Sequence, residues 1–163
     1  AMTVASRVAV MDEGKLMQVA TPARIYEAPN SVYVADFIGD VNIIEGKAHQ
    51  TGDKLQIDWA EGQPALSATT DKDFDLGQTC YLAIRPEKVA ISADRPSGAN
   101  VLQGTILDIA YLGNLSTYHV KLPTGHVIKA QQANTRRISR REFTWEDTVW
   151  ISWTDTAAVV LKT

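Results

Sequence analysis

At 163 residues the chain can bury one main hydrophobic core with an appendage, but not two large domains. Its hydrophobic content of 45% and charged content of 21% are those of a globular chain, and no run of about 18 apolar residues exists to span a bilayer. A net charge of −3 supplies no positive field to gather nucleic acid or anionic lipid, and the single cysteine, Cys80, allows no intrachain disulfide.

The first residues show no basic start backed by an apolar stretch, so no export signal is expected and a cytosolic setting fits. An apolar run at 7–11, a turn at Asp12-Glu13-Gly14-Lys15 and a second run at 16–20 predict a β-hairpin. Thr21-Pro22 offers an N-cap and a proline at the first helical position, predicting a short helix through Ile25 and Tyr26 that ends before Pro29. Ser31 caps a second helix over 32–38, with Val34, Phe37 and Ile38 on one face and Gly39 as its stop. Beyond Val41 the pattern changes to short strands between turns, the spacing of an all-β barrel or sandwich. Strands are predicted over 42–48, 55–59, 80–85, 88–92, 102–110, 115–122, 126–131, 148–153 and 158–161. Around a loop at Pro123-Thr124-Gly125, Val120 should face Ile128 and Tyr118 should face Ala130, while His119 with Lys129 and Thr117 with Gln131 form the polar face. No repeat is long enough to suggest a solenoid or propeller. Cys80 lies in an apolar strand, where a buried, inert thiol is expected.

Several features imitate chemistry. Val8-Ala9-Val10-Met11-Asp12-Glu13 has the outline of a Walker B strand, but no G-x-x-x-x-G-K-[ST] phosphate cradle accompanies it, so Asp12 and Glu13 are expected to be solvated turn residues. Asp71-Lys72-Asp73-Phe74-Asp75 begins like a calcium loop, yet Leu76 and Leu82 stand where glycine and a bidentate glutamate are required. His49, His119 and His126 have no zinc-ligand spacing. The one charge run, Arg136-Arg137-Ile138-Ser139-Arg140-Arg141, gives a candidate contact loop in Arg136, Arg137, Arg140 and Arg141. No aromatic residues interleave with it for base stacking, so a solvated face or a protein or lipid-headgroup contact is expected before nucleic acid.

A resemblance joins these elements. Gly14-Lys15, Ala20-Thr21-Pro22, Ile25-Tyr26-Glu27-Ala28-Pro29, Phe37-Ile38-Gly39 and Asn42 resemble the closing segment of an ABC-importer ATPase domain. Arg85-Pro86-Glu87-Lys88-Val89 and Tyr111-Leu112-Gly113-Asn114 resemble the small OB-like regulatory barrel, the TOBE domain, that follows it. Residues 110–120 and 145–150 look most like the polyamine branch, putrescine-type in particular.

The resemblance implies a mainly β fold: an OB-fold-like TOBE barrel over 41–163, preceded over 1–40 by a β-hairpin and two short helices left from the ATPase domain. In such subunits the catalytic groups precede the position of Ala1, so neither ATPase activity nor a nucleotide, metal or cofactor site is expected in this chain; ATP and Mg belong to the parent. The turns at Arg85, Pro86 and Glu87 and at Tyr111, Leu112, Gly113 and Asn114 are expected to order the barrel. The parent would dimerise through the barrel at the cytoplasmic face of two transmembrane permease subunits, peripheral to the membrane and without insertion. The rival reading is a free-standing OB-like nucleic-acid binder using the Arg136 to Arg141 loop. Val34, Phe37 and Ile38 are expected to form an exposed patch, because they would normally help cover the ATPase core.

Overall fold

The computed structural model describes residues 2–51, 54–133 and 143–163. Strands β1 (Val8–Asp12) and β2 (Lys15–Ala20) form the expected hairpin, with Asp12 opposite Lys15 across Glu13 and Gly14. Helices α1 (Pro22–Glu27) and α2 (Val32–Ile38) follow, each capped as the sequence predicts: the Arg24 amide donates to Thr21 Oγ1 and the Val34 amide to Ser31 Oγ. Val10, Ile25 and Val34 close a small core, with Val8, Met17, Ala20 and Ile38 packed around it. The expected exposed patch is therefore corrected. Val34 is fully buried and Ile38 partly so, because the α2 face that carries them is turned onto the hairpin. Phe37 alone of the three is largely exposed, stacked on Tyr33.

Among the described residues, ten further strands make two five-stranded antiparallel sheets around one core. They are β3 (Asn42–Thr51), β4 (Lys54–Asp58), β5 (Leu66–Ala68), β6 (Thr79–Ile84), β7 (Ala90–Ser92), β8 (Asn100–Tyr111), β9 (Leu115–Lys121), β10 (Val127–Ala133), β11 (Thr148–Trp153) and β12 (Val159–Leu161). The architecture is mainly β with OB-like sheets. Alternation explains which faces turn inward: Ile44, Gly46 and Ala48 are buried while Glu45 and Lys47 are exposed, and Leu102, Gly104 and Ile106 repeat the pattern against Gln103 and Thr105. The β9–β10 register is the one the sequence predicts, with Val120 opposite Ile128, Tyr118 opposite Ala130 and His119 opposite Lys129. Strand β5 is absent from the sequence expectations. It is three residues long, lacks β-branched side chains and is buried throughout.

The two sheets are copies of one plan. One runs β12-β6-β3-β4-β5 and the other, read in the matching direction, β7-β11-β8-β9-β10. The pairs Ile44↔Leu82 and Gly46↔Cys80 recur as Leu102↔Ile151 and Gly104↔Val149. Likewise Leu55↔Ala68 and Ile57↔Leu66 recur as Tyr118↔Ala130 and Val120↔Ile128. Even irregular hydrogen bonds repeat: the amides of Ala48 and Gly77 bond Gln78 O and Ala48 O, while those of Ile106 and Glu146 bond Asp147 O and Ile106 O. Each half begins with an asparagine whose primary amide bridges to an edge strand of the other sheet. Asn42 bonds the backbone of Lys129 at 2.8 and 2.9 Å, and Asn100 that of Ser67 at 2.7 and 2.9 Å. Only the last strands break the separation, since β7 of the first half joins the second sheet and β12 of the second half joins the first.

The correspondence exposes one strained residue. Gly77 sits at φ 78°, and its counterpart Glu146 adopts φ 67°, a left-handed conformation that disfavours a side chain. Glu146→Gly is expected to stabilise the fold by about 0.5–1 kcal/mol, because relief of the left-handed strain outweighs the added freedom of the unfolded chain. Denaturant titration reads this; a loss of stability would show that the Glu146 side chain contributes more than its backbone costs.

Candidate functional site at the junction of helices and barrel

The sequence from Leu82 to Lys88 builds the junction. Strand β6 ends at Ile84, and Pro86, with no amide hydrogen to give, starts a single 3-10 turn over Pro86–Lys88 closed by Lys88 N to Arg85 O at 2.9 Å. This turn points Arg85 away from the barrel core and under the helices, where it is only 5% exposed. Its Nη1 donates to the carbonyls of Ala35, Gly39 and Asp40, each at 3.0 Å, and Nη2 to Tyr26 O at 3.4 Å. The guanidinium also lies 4.4 Å from the centroid of the Tyr26 ring.

Helix α2 stops at Gly39, as the sequence predicts. Gly39 is extended, at φ 174° and ψ −179°, and does not form a left-handed cap. The carbonyls at the helix end are taken instead by a cation from the barrel, which also suits the negative end of the helix. An arginine serves here because its planar fork reaches several acceptors and stacks on a ring at once, whereas a lysine is a point charge.

Shorter-range contacts surround it. The Tyr26 hydroxyl donates to Glu87 Oε2, Lys88 Nζ bonds Glu27 Oε2 at 2.7 Å, and Lys129 Nζ bonds Asp40 Oδ1 at 3.0 Å. The α2 amide of Val32 donates to the carbonyl of Thr163 at 2.8 Å. The exposed ion pairs contribute at most about 1 kcal/mol each, so the buried guanidinium dominates. The crevice between Tyr26, Ala35, Val41, Arg85 and Val159 holds only about 10 Å³, the room of a single water. The helices and barrel are closely packed at this crevice.

Burial, and then the hydrogen bond and charge of Glu87, push the Tyr26 hydroxyl up from 10.0 to about 12, with Arg85 opposing. A phenol whose proton is held more tightly in the folded state lends stability that is complete below about pH 10 and is lost as pH rises through about 12. Docking of the helices is therefore expected to be insensitive to pH near neutrality and to loosen above pH 10. Tyrosine absorbance titration of the parent and Tyr26→Phe chains tests this: loss of one late-titrating tyrosine is expected in the variant, and unchanged curves would contradict it.

Comparison of the two halves isolates what is special here. The turn equivalent to 85–88 is 154–157, closed by Ala157 N to Thr154 O at 3.2 Å, so Thr154 stands where the first half has Arg85. The fold itself does not need an arginine at this turn. Arg85 is what distinguishes this turn in the first half, and its guanidinium goes to the helices.

Arg85 and Glu87 thus tie the barrel to the helices, and Pro86 starts the turn that carries them. Tyr111, Leu112, Gly113 and Asn114 occupy a different place, the β8–β9 hairpin, with Leu112 N bonded to Leu115 O at 2.7 Å and Gly113 at φ 72°. Arg136, Arg137, Arg140 and Arg141 lie outside the described residues, and nothing among the described residues favours the nucleic-acid reading. Asn42, Asp40 and Lys129 were not singled out as junction residues by sequence. The recurring Asn-x-x-x-Gly at 42–46 and 100–104 was the available signal for the asparagine clamps.

Residues 82–161 match the TOBE domain family. The putrescine transport ATP-binding protein PotG of Escherichia coli K12 is 40% identical over 164 residues, covering 99% of this chain and 43% of that protein. The spermidine/putrescine import ATP-binding protein PotA of Thermobifida fusca is 38% identical over 164 residues, covering 99% and 42%. The chain therefore spans less than half the length of these curated relatives, matching their C-terminal region. Among solved structures, a cytoplasmic molybdate-binding protein, ModG, superposes with a TM-score of 0.61 at 14% identity, covering 73% of this chain and 94% of that one, which establishes the likeness of fold alone.

Proposed function

Because the chain belongs to the TOBE-domain family of ABC-importer ATP-binding subunits and matches their C-terminal region, we propose that it couples the ATPase domain of a polyamine importer to a regulatory barrel. The observation that carries this is Arg85: a barrel residue whose guanidinium grips the carbonyls of Ala35 in α2 and of Gly39 and Asp40 just beyond it, and the face of Tyr26 in α1. A displacement of the helices, driven by nucleotide in the rest of the subunit, would then move the barrel as one body, since a buried multidentate contact resists shear better than exposed ion pairs. Putrescine and spermidine are the proposed cargo of the parent, after the transport roles for which PotG and PotA are named.

In this reading the parent works with membrane permease subunits at the inner face of the cell membrane and dimerises through the barrel. No helix among the described residues is long and apolar enough to cross a membrane. ATP and Mg chemistry resides outside residues 1–163; a rise in melting temperature of this chain on adding Mg-ATP would contradict that.

The coupling itself is tested in the intact subunit assembled with its permeases in proteoliposomes. Arg85→Lys is expected to retain nucleotide binding while lowering putrescine taken up per ATP hydrolysed. An unchanged uptake-to-hydrolysis ratio, with the substituted protein folded and assembled, would reject Arg85 as the coupling contact.

A further inference from the structure

We infer that strand β12 is a second anchor for α2, with Leu161 as its apolar pin, so that the helices are held by both halves of the barrel and take their position from how the halves meet. Only the consequence for coupling rests on the transport reading; the contact itself follows from register and burial. The pairs Val159↔Ala83, Val160↔Leu82 and Leu161↔Tyr81 alternate in face. Val160 and Leu82 belong to the barrel core, so Val159, Ala83 and Leu161 turn to the opposite side of the sheet. That side is not left to water, since Leu161 is fully buried and Ala83 nearly so. Three apolar residues buried among the described residues stand outside both hydrophobic cores: Ala35 of α2, Ala83 of β6 and Leu161 of β12. They form a separate seam between the helices and the outer face of the first sheet.

Backbone contacts lay α2 along this seam. Val32, its first residue, donates to Thr163 O at 2.8 Å, two residues past Leu161. At the other end Arg85, two residues past Ala83, takes the carbonyls of Ala35, Gly39 and Asp40. Helix α2 therefore runs opposite to β12, and the lengths agree: about 10 Å from Val32 to Gly39 at the rise of a helix, and about 13 Å from Val159 to Thr163 at that of a strand. Ala35 meets Ala83 and Val159 in the junction crevice, which places Leu161, midway between Val159 and Thr163, under the turn from Val32 to Ala35. The two anchors come from different halves. Arg85 belongs to the first, whereas Leu161, Thr163 and Lys129, which pairs with Asp40, belong to the second. A shift of one half against the other thus displaces α2 at one end and turns it, giving the barrel a route to act on the helices as well as to follow them.

Hydrogen exchange on the full chain decides the matter, without nucleotide or permease. Leu161→Ala removes the pin and is expected to speed exchange of α2 amides by about thirtyfold while β3, β8 and β9 stay near the parental rate. Val160→Ala, one residue away and facing the barrel core, is expected to speed β3 and β6 as well, and Leu161→Met to restore protection of α2. Leu161→Ala that leaves α2 protected, or speeds the barrel strands equally, overturns the proposal. If Leu161→Ala fails to fold, Ala35→Leu overfills the seam from the helix side and is expected to release α2 alone; a protected α2 there overturns it too. In the assembled subunit Leu161→Ala is expected to lower putrescine uptake per ATP as Arg85→Lys does. Selective release of α2 with an unchanged ratio in both variants would reject the coupling reading and leave the anchor standing.

Discussion

Arg85→Ala is expected to release α1 and α2 from the barrel at a cost of about 3–4 kcal/mol while leaving the barrel itself folded. The substitution removes charge-assisted hydrogen bonds to Ala35, Gly39 and Asp40, together with the stack on Tyr26. A hydrogen bond to a charged group contributes about 1.5–3 kcal/mol, but three acceptors share one Nη1, so the losses do not add in full. What remains to hold the helices is modest: exposed pairs at Lys88–Glu27 and Lys129–Asp40, the Tyr26–Glu87 and Val32–Thr163 hydrogen bonds, the seam at Leu161, and a small core around Val10, Ile25 and Val34 that belongs to the hairpin and helices, not to the barrel. Local undocking should therefore precede global unfolding. Hydrogen exchange provides the readout, with α1 and α2 amides expected to exchange at least a hundredfold faster and amides of β3, β8 and β9 near the parental rate. Uniform acceleration throughout the chain would mean that Arg85 stabilises the barrel as a whole and is not a junction contact.

Gly104→Ala should cost about 3 kcal/mol, through the barrel instead of the junction. A Cβ there would lie 2.6 Å from Val120 Cγ1 and 2.8 Å from Lys121 O. A side chain can rotate away, but the carbonyl belongs to the β8–β9 pairing and moves only if the sheet opens. The same change at Gly46 meets Ile57 Cγ2 at 2.5 Å and Asp58 O at 2.8 Å, so a matching loss is expected from the other half. For a chain of this size about 3 kcal/mol corresponds to a fall of roughly 6–12 °C in Tm. Thermal melts of both variants measure it; a drop under about 2 °C in either would mean that the strands separate more easily than the close approach suggests.

The legible parts of the structure share a property. The hairpin at Asp12–Lys15, the caps at Thr21 and Ser31 and the β9–β10 register are each decided by residues within one turn or one hairpin. Periodicity and turn chemistry act over that range, so the sequence displays them. Strand β5 was hidden because it is only three residues long and is placed by its pairing with β4 and by the clamp of Asn100, a residue of another sheet, on Ser67. The orientation of α2 was hidden for a related reason. Val34, Phe37 and Ile38 were assigned to one face, but the hairpin covers Val34 and most of Ile38 and leaves Phe37 outside.

Arg85 shows the boundary most clearly. Its sequence neighbourhood marked a turn, and a turn is there, but a buried guanidinium held by carbonyls of residues far back in the chain leaves no local pattern. The sequence by itself determined the short elements, the mainly β character and, through motif resemblance, the family. Tertiary structure alone decided that β7 and β12 exchange sheets, that Asn42 and Asn100 perform the same task, and that Arg85 ends α2, because each depends on contacts between segments with no local periodicity to announce them.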